Sequence, residues 1–158
     1  MNESDKVRKQ IADVLAWHEA HQPFEDVVAD FPEKLRGVRP HGLPHSAWAL
    51  VEHMRIAQWD MLEFSRDPKH KSPKFPEGYW PPSHEPPGTK AWDESVKRFL
   101  ADRAELQKLV LDPARDLTAP IPHGSGQTLL REALLTADHN SQHLGQLITL
   151  RRLLGAWK

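Results

Sequence analysis

The positions of the prolines constrain this chain more than any other feature. A proline ring removes a backbone donor and clashes with the preceding helical turn, so a long helix cannot pass through one without a kink or break. Between the 14 prolines lie long stretches whose apolar residues recur every three or four positions. We predict four helices, over residues 2–31, 45–66, 89–111 and 128–154, with the first kinked or broken near Pro23. No stretch shows the alternation of a strand, so the predicted fold is all-α.

The connection over residues 67–88 contains seven prolines and separates the second helix from the third. A loop of this length is unusual inside a compact domain and is often functional. A link this long permits a crossover, which predicts that helices two and three run parallel in an up-down-down-up bundle. We also expect the loop to pass across one end of the bundle. A domain boundary is the rival interpretation, but neither side is large enough to fold alone readily.

Composition excludes several classes of protein. The net charge of −1 argues against a nucleic-acid binder that relies on phosphate neutralisation. The sequence shows no signal peptide and no apolar run long enough to span a membrane, so the expected location is the cytoplasm. The absence of cysteine excludes disulfides, thiolate ligands and a cysteine nucleophile.

Two histidines share a face of the fourth predicted helix. His139 and His143 are four positions apart, which places their rings one turn from each other. With ten histidines in the chain, such a pair arises readily by chance, and His41 and His45 repeat the spacing where Gly42 and a proline interrupt the helix. The residues between His139 and His143 are Asn-Ser-Gln, so this is not the zinc-protease motif with its built-in glutamate base.

His53 is the candidate for a third metal ligand. It lies in the middle of the second predicted helix among apolar neighbours, where an unpaired imidazole would be costly to bury. Three protein ligands with one position left open are typical of catalytic metal sites. The pattern alone leaves open whether His53 is a ligand or a half-exposed histidine at the edge of the core.

Several segments together resemble the DinB/YfiT superfamily of metal-dependent enzymes. The strongest are WALVEHM at 48–54, DHNSQHLGQ at 138–146 and LRRLLG at 150–155, with YWP at 79–81 and DPARDL at 112–117 in support. The resemblance spans nearly the whole chain and implies a single four-helix domain over residues 1–158, often dimeric. It also implies that His53, His139 and His143 bind one divalent transition metal, with zinc or nickel favoured. Relatives include proteins induced by DNA damage, thiol-dependent S-transferases and a maleylpyruvate isomerase, so the resemblance fixes no single reaction.

Three further residues are candidates for roles beside the metal. Gln146 and Asp60 lie one and two helical turns beyond a predicted ligand, where they could orient that ligand or contact bound water. Glu132 lies two turns before His139 and is a candidate base. For Asp60 and Glu132 the rival interpretation is a solvated helix face. Tyr79 and Trp80 in the proline-rich loop form either a lid or a pair of exposed aromatics.

These observations favour a metal-dependent enzyme acting on a small molecule. A divalent ion held by neutral imidazoles lowers the pKa of bound water or of a bound thiol, which prepares either for hydrolysis or S-transfer. Because the chain has no cysteine, the thiol would be a low-molecular-weight cosubstrate. The alternative is a non-catalytic metal-binding stress-response module, and the two differ in whether loop 67–88 leaves the metal accessible or covers it with further ligands. A purely structural bundle would instead keep the three histidines apart.

Overall fold

The computed structural model describes residues 3–16 and 20–157, and its regular structure is helical. Within these two ranges, five α-helices follow one another: α1 Glu3–Val14, α2 Phe24–Val28, α3 Ala47–Arg66, α4 Ala91–Leu111 and α5 Leu129–Leu153. Within the described residues, extended pairing is limited to one isolated bridge between Pro120 and Thr128. The predicted all-α fold is therefore confirmed.

Local sequence signals set the ends of α3 and α5. The Ser46 hydroxyl accepts a hydrogen bond from the backbone N–H of Ala49 and caps α3, and Thr128 caps α5 through Arg131 N–H. After α5, Gly155 adopts a φ of 64°, a left-handed conformation that glycine tolerates best. Its N–H bonds to the carbonyl of Arg152, and the next N–H bonds to that of Arg151. A glycine cap therefore ends α5.

The first predicted helix is wrong in extent, because α1 ends at Val14 and a separate short helix, α2, begins at Phe24. Pro23 stands before α2 with φ −67° and ψ 152°, an extended conformation that cannot lie inside a helix. The break predicted near Pro23 therefore separates two helices rather than kinking one. The long helices of the bundle are α1, α3, α4 and α5.

Side-chain contacts fix the direction of each long helix. Gln58 Nε2 donates to the carbonyl of Phe99 and Ser95 Oγ donates to Glu52, so position numbers rise together along α3 and α4. Against α5 they run in opposite senses, because Thr136 contacts Met61 while His143 lies beside His53. Contacts of Arg8 with the Val110 carbonyl and of Gln107 with the Ala12 carbonyl make α1 antiparallel to α4. The bundle is therefore up-down-down-up, as predicted.

The proline-rich connection does not pass across one end of the bundle, contrary to our expectation. It runs back along α3, because His70 contacts Asp60, the Tyr79 carbonyl contacts His53, and the His84 carbonyl accepts from Ser46. Parallel neighbours require this path, since a 20-residue helix is about 30 Å long and the chain must return to the end where α3 began. The return path lays the loop beside His53.

The core lies in two apolar clusters along the bundle. One surrounds Phe24, Trp48, Met54, Phe99 and Leu147, and the other surrounds Ile11, Leu62, Leu106, Val110 and Leu129. Burial of these large side chains supplies the main driving force for folding without any bound ion. Among the described residues, no helix combines the length and apolar character needed to cross a membrane.

Candidate metal centre

Three imidazoles from two helices converge at one point of the bundle. His53 on α3 has its Nε2 atom 3.2 Å from Nε2 of His143 and 3.0 Å from Nε2 of His139, both on α5. Within the described parts of the chain, these three residues form the group of potential ligands close enough to hold one ion. The structure thus brings together the three histidines that the sequence singled out.

Hydrogen bonds at the far side of two rings fix their protonation. His53 Nδ1 lies 2.7 Å from the backbone carbonyl of Tyr79, and His143 Nδ1 lies 2.8 Å from Oε1 of Gln146. Because both oxygens can only accept, each Nδ1 carries the ring proton and each Nε2 presents a lone pair. Partners of this kind orient histidine ligands in metal sites.

This tautomer assignment leaves two acceptors facing each other. The Nε2 atoms of His53 and His143 are at hydrogen-bond distance with no proton of their own to share. A proton on His139 Nε2 could satisfy His53 but not the remaining lone pair. Nitrogens bound tetrahedrally to one zinc ion at about 2.0–2.1 Å lie about 3.3–3.4 Å apart, close to the 3.2 Å and 3.0 Å separations of the triad. The donor set therefore fits a divalent cation.

His139 is the least supported member of the triad. Its Nδ1 atom is buried without a hydrogen-bond partner among the described residues, and so is Oδ1 of the neighbouring Asn140. Burial, followed by the neighbouring His143, lowers the pKa of His139, and the Asn140 side chain acts in the opposite direction. The interaction between the two side chains falls short of a hydrogen bond, although the Asn140 amide group donates to Gln58 Oε1 at 2.9 Å.

Burial keeps the imidazoles neutral at physiological pH. It lowers the pKa of His53 from 6.5 to about 4, against an opposing effect of the Tyr79 hydrogen bond. The pKa of His143 is also lowered, again chiefly by burial. His53 is 8% exposed, whereas His139 and His143 are half-buried. Neutral rings are the ligand form of histidine, so the site is ready for a cation without losing protons.

The proline-rich loop covers the His53 ring with Trp80 and is itself held in place through Tyr79 and His70. The Trp80 ring stacks on His53 with centroids 3.8 Å apart and planes 1° apart, and stacks on His45 at 3.9 Å. The Tyr79 hydroxyl donates to Asp60 at 2.6 Å, while His70 contacts the other carboxylate oxygen at 2.7 Å. Burial, followed by the bond to Asp60, raises the pKa of Tyr79 to about 12, so the phenol remains a donor.

The structure separates the three residues proposed for supporting roles. Gln146 contacts a triad member directly, through the Nδ1 atom of His143. Asp60 is buried and reaches His53 only through Tyr79, rather than lying on a solvated face. Glu132 is 4% exposed and pairs with Arg131 at 2.5 Å, and within the described residues it forms no hydrogen bond or ion pair with the triad. Its role as a base stays a prediction that this position does not favour.

Sequence reasoning missed His45 and His70 as neighbours of the site. His45 precedes the cap of α3, and its stacking on Trp80 depends on the path of the loop. His70 lies in that loop and contacts Asp60 from it. The spacing of His45 from His41 lies outside a helix and carries no information on the site, and His70 has no such pattern. The path of the loop is needed before the proximity of either residue to the triad can be seen.

The fold and the converging imidazoles define a helical-bundle protein with a site that could hold a metal ion. The family model of the DinB superfamily matches residues 10–147, and the chain belongs to that superfamily. The resemblance found in the sequence is thus confirmed at the level of the superfamily. No curated protein and no solved structure is similar enough to the chain to count as a match.

Proposed function

We propose that this protein is a metal-dependent enzyme that carries out hydrolysis or S-transfer on a small molecule, with one divalent transition metal, zinc or nickel, held by His53, His139 and His143. The observation that carries the proposal is the pair of unprotonated Nε2 atoms of His53 and His143, 3.2 Å apart. Two such lone pairs repel each other unless a cation lies between them. Membership of the DinB superfamily is in keeping with this assignment.

A divalent ion in this donor set supplies Lewis acidity, which lowers the pKa of water or of a low-molecular-weight thiol in an open position. The protein's own residues hold the donors in place. Tyr79 and Gln146 keep the Nδ1 protons on His53 and His143, so the Nε2 lone pairs stay available. Trp80 covers one face of His53 and excludes water there.

Accessibility of the triad favours an enzyme over the non-catalytic metal-binding stress-response module. Loop 67–88 touches the triad through the Tyr79 carbonyl and the Trp80 ring, and within the described residues it adds no histidine or carboxylate ligand to the group. His139 and His143 remain half-buried rather than sealed from solvent. A small molecule can therefore approach the side of the triad that the loop leaves uncovered. We also propose a cytoplasmic enzyme, compatible with a homodimer, that acts without nucleic acid or membrane.

The proposal is tested by measuring bound metal and enzymatic turnover on the same preparations. Untagged protein is stripped with a chelator and reloaded with Zn²⁺ or Ni²⁺, and bound metal is measured together with turnover of ester, amide and thiol-acceptor substrates. We expect one ion per chain and metal-dependent turnover, both lost in His139→Ala. His41→Ala is the matched control, because His41 is an exposed histidine outside the triad.

Two results would overturn the enzyme proposal in different ways. Wild-type protein that binds no stoichiometric metal would remove the ion from the function. Stoichiometric binding with no turnover of any substrate class would favour the non-catalytic metal-binding module.

A further inference from the structure

A cavity of about 330 Å³ lies between the segment before α3 and the exposed side of α5. This volume is within the range of small-molecule sites. We call it the α5 pocket, and it is lined by Leu43, Pro44, His45, Leu50, Gln142, Gly145, Gln146, Thr149 and Leu150. None of these residues has a carboxylate, ammonium or guanidinium group.

The α5 pocket differs in charge from the other cavity near the triad. The second cavity, of about 420 Å³, lies between α3, α4 and the proline-rich loop and includes Glu52, Arg55, Glu94 and Arg98 in its lining. In the α5 pocket the Thr149 hydroxyl donates to the Gly145 carbonyl at 3.0 Å, which satisfies a polar group of each residue. An uncharged, apolar group therefore suits the α5 pocket better than the other cavity, where it would take charged side chains out of contact with water.

Two lining residues connect the α5 pocket to the triad. Gln146 lines the pocket and accepts the Nδ1 proton of His143. His45 also lines it and stacks on the same Trp80 ring that stacks on His53. A molecule in the pocket thus lies against one residue that contacts His143 directly, Gln146, and one that is linked to His53 through the Trp80 ring, His45.

Gly145 has no evident structural reason to be a glycine. It lies inside α5, where glycine destabilises a helix relative to alanine. Its φ is not in the left-handed region, and a Cβ atom built there meets no atom within 4 Å. The protein's own packing therefore leaves room for a side chain, and the space that it would take belongs to the α5 pocket.

From these observations we infer that the α5 pocket binds the uncharged apolar arm of the small-molecule substrate or cosubstrate, and that Gly145 sets the size of arm that fits. The inference rests on the proposed function for the position of the reacting group at the triad. The pocket itself can be tested without the metal, because its lining does not include the triad.

The test uses two homologous series of probes, the 1-alkanols and the 1-alkanethiols from four to eight carbons. Each is titrated into metal-free and zinc-loaded protein, and binding is followed by the amide shifts of Gly145 and Gln146. Alkanol affinity is expected to rise with chain length by up to about fourfold per buried methylene in both forms. Thiols are expected to bind the zinc-loaded form more tightly than alkanols of equal length.

Variants at Gly145 decide whether the pocket is responsible. Gly145→Leu should abolish the dependence on chain length while the metal content stays at one ion per chain. Gly145→Ala should fold with a melting temperature about 1–4 °C higher and show a weaker dependence on chain length. Ala101→Leu is the matched control, since it adds the same side chain at an exposed helical position outside the α5 pocket.

Three outcomes separate the possibilities. Equal chain-length dependence in wild type and Gly145→Leu, or none in wild type, would overturn the pocket assignment. If the wild type sediments as a dimer and Gly145→Leu as a monomer, the α5 pocket binds a second copy of the chain. That result would also overturn the pocket assignment. A normal alkanol series without tighter thiol binding to the zinc-loaded form would support the pocket and count against thiol chemistry in the proposed function.

Discussion

The backbone carbonyl of Tyr79 lies 2.7 Å from Nδ1 of His53 and joins the proline-rich loop to the candidate metal centre. The hydroxyl of the same residue donates a hydrogen bond to Asp60 at 2.6 Å. Asp60 lies on α3 two helical turns after His53. Asp60 thus holds Tyr79, and Tyr79 holds the His53 ring in the tautomer that exposes Nε2. A carboxylate that touches no ligand is therefore linked to ligand orientation.

This link predicts that the Tyr79 hydroxyl and Asp60 act as a unit. Tyr79→Phe keeps the backbone carbonyl but removes the bond to Asp60, and Asp60→Asn replaces the charged acceptor. Loss of such supporting partners weakens metal binding by about 10–100-fold. We expect each variant to lower Zn²⁺ affinity by about tenfold, measured by competition with a chromophoric chelator.

The double variant provides the decisive comparison for this pair. If the two groups act through one hydrogen bond, Tyr79→Phe combined with Asp60→Asn should bind Zn²⁺ about as well as either single variant. Fully additive losses would contradict the link. Glu63→Gln is the control, because its carboxylate pairs with Arg66 and not with Tyr79.

Gln146 should orient His143 through its side-chain oxygen. Gln146→Ala removes the acceptor of the Nδ1 proton, so the ring is free to rotate or change tautomer. We expect Zn²⁺ affinity to fall by about tenfold or more. Gln146→Glu keeps an acceptor at the same position and should retain affinity close to that of the wild type.

The control for Gln146 is its neighbour on the same helix. Gln142→Ala alters the α5 pocket one turn earlier but removes no bond to the triad. Unchanged Zn²⁺ affinity in Gln146→Ala, or an equal loss in Gln142→Ala, would show that the hydrogen bond to His143 does not support metal binding.

Much of the fold could be predicted because its signals are local. Ser46 bonds to a backbone N–H of the first turn of α3, and Gly155 takes a left-handed conformation after α5. His139 and His143 share a face because they lie within one uninterrupted helix. Each of these features depends on residues close in sequence, which a pattern can describe.

Features that depend on contacts between residues distant in sequence could not be predicted from sequence patterns. The Tyr79 carbonyl contacts His53 although the two residues are 26 positions apart. Because every residue type has a backbone carbonyl, the identity of residue 79 does not indicate this role. Glu132 has the right spacing from His139 to share its helix face, yet its carboxylate pairs with Arg131. The length of the loop predicted parallel helices correctly, but not that the loop would return along α3 beside Asp60.

The metal-free protein should lose stability in mildly acidic solution. Burial lowers the pKa of His53 from 6.5 to about 4 in the folded protein. Between these values the unfolded chain binds a proton at His53 that the folded chain does not, so the free energy of unfolding falls as the pH falls. The contribution of neutral His53 to the free energy of unfolding is intact above about pH 6.5 and is lost as the pH approaches 4.

Thermal unfolding with a chelator present checks this linkage. The melting temperature is measured from pH 7 to pH 5 for the wild type and for His53→Gln, which cannot titrate at that position. We expect the melting temperature of the variant to fall less steeply as the pH is lowered, because it lacks one of the rings that stay neutral in the folded protein. Parallel curves would show that His53 titrates alike in the folded and unfolded chains.

Loss of the ion should weaken the fold without abolishing it. The triad joins α3 to α5, but the apolar clusters are built from other residues and also draw on α1, α2 and α4. A free ion concentration one hundred times Kd stabilises the folded state by about 2.7 kcal/mol. For a chain of this size that corresponds to about 5–10 °C in melting temperature.

His139→Ala tests this division between site and core. It should bind no stoichiometric metal and lose the metal-dependent turnover of the wild type, yet keep a helical circular dichroism spectrum. Its melting temperature should lie close to that of the metal-free wild type and below that of the zinc-loaded protein. His41→Ala should respond to zinc as the wild type does, because His41 lies outside the triad. An unfolded His139→Ala would make the site structural, since a bundle with its own core needs no ion to fold.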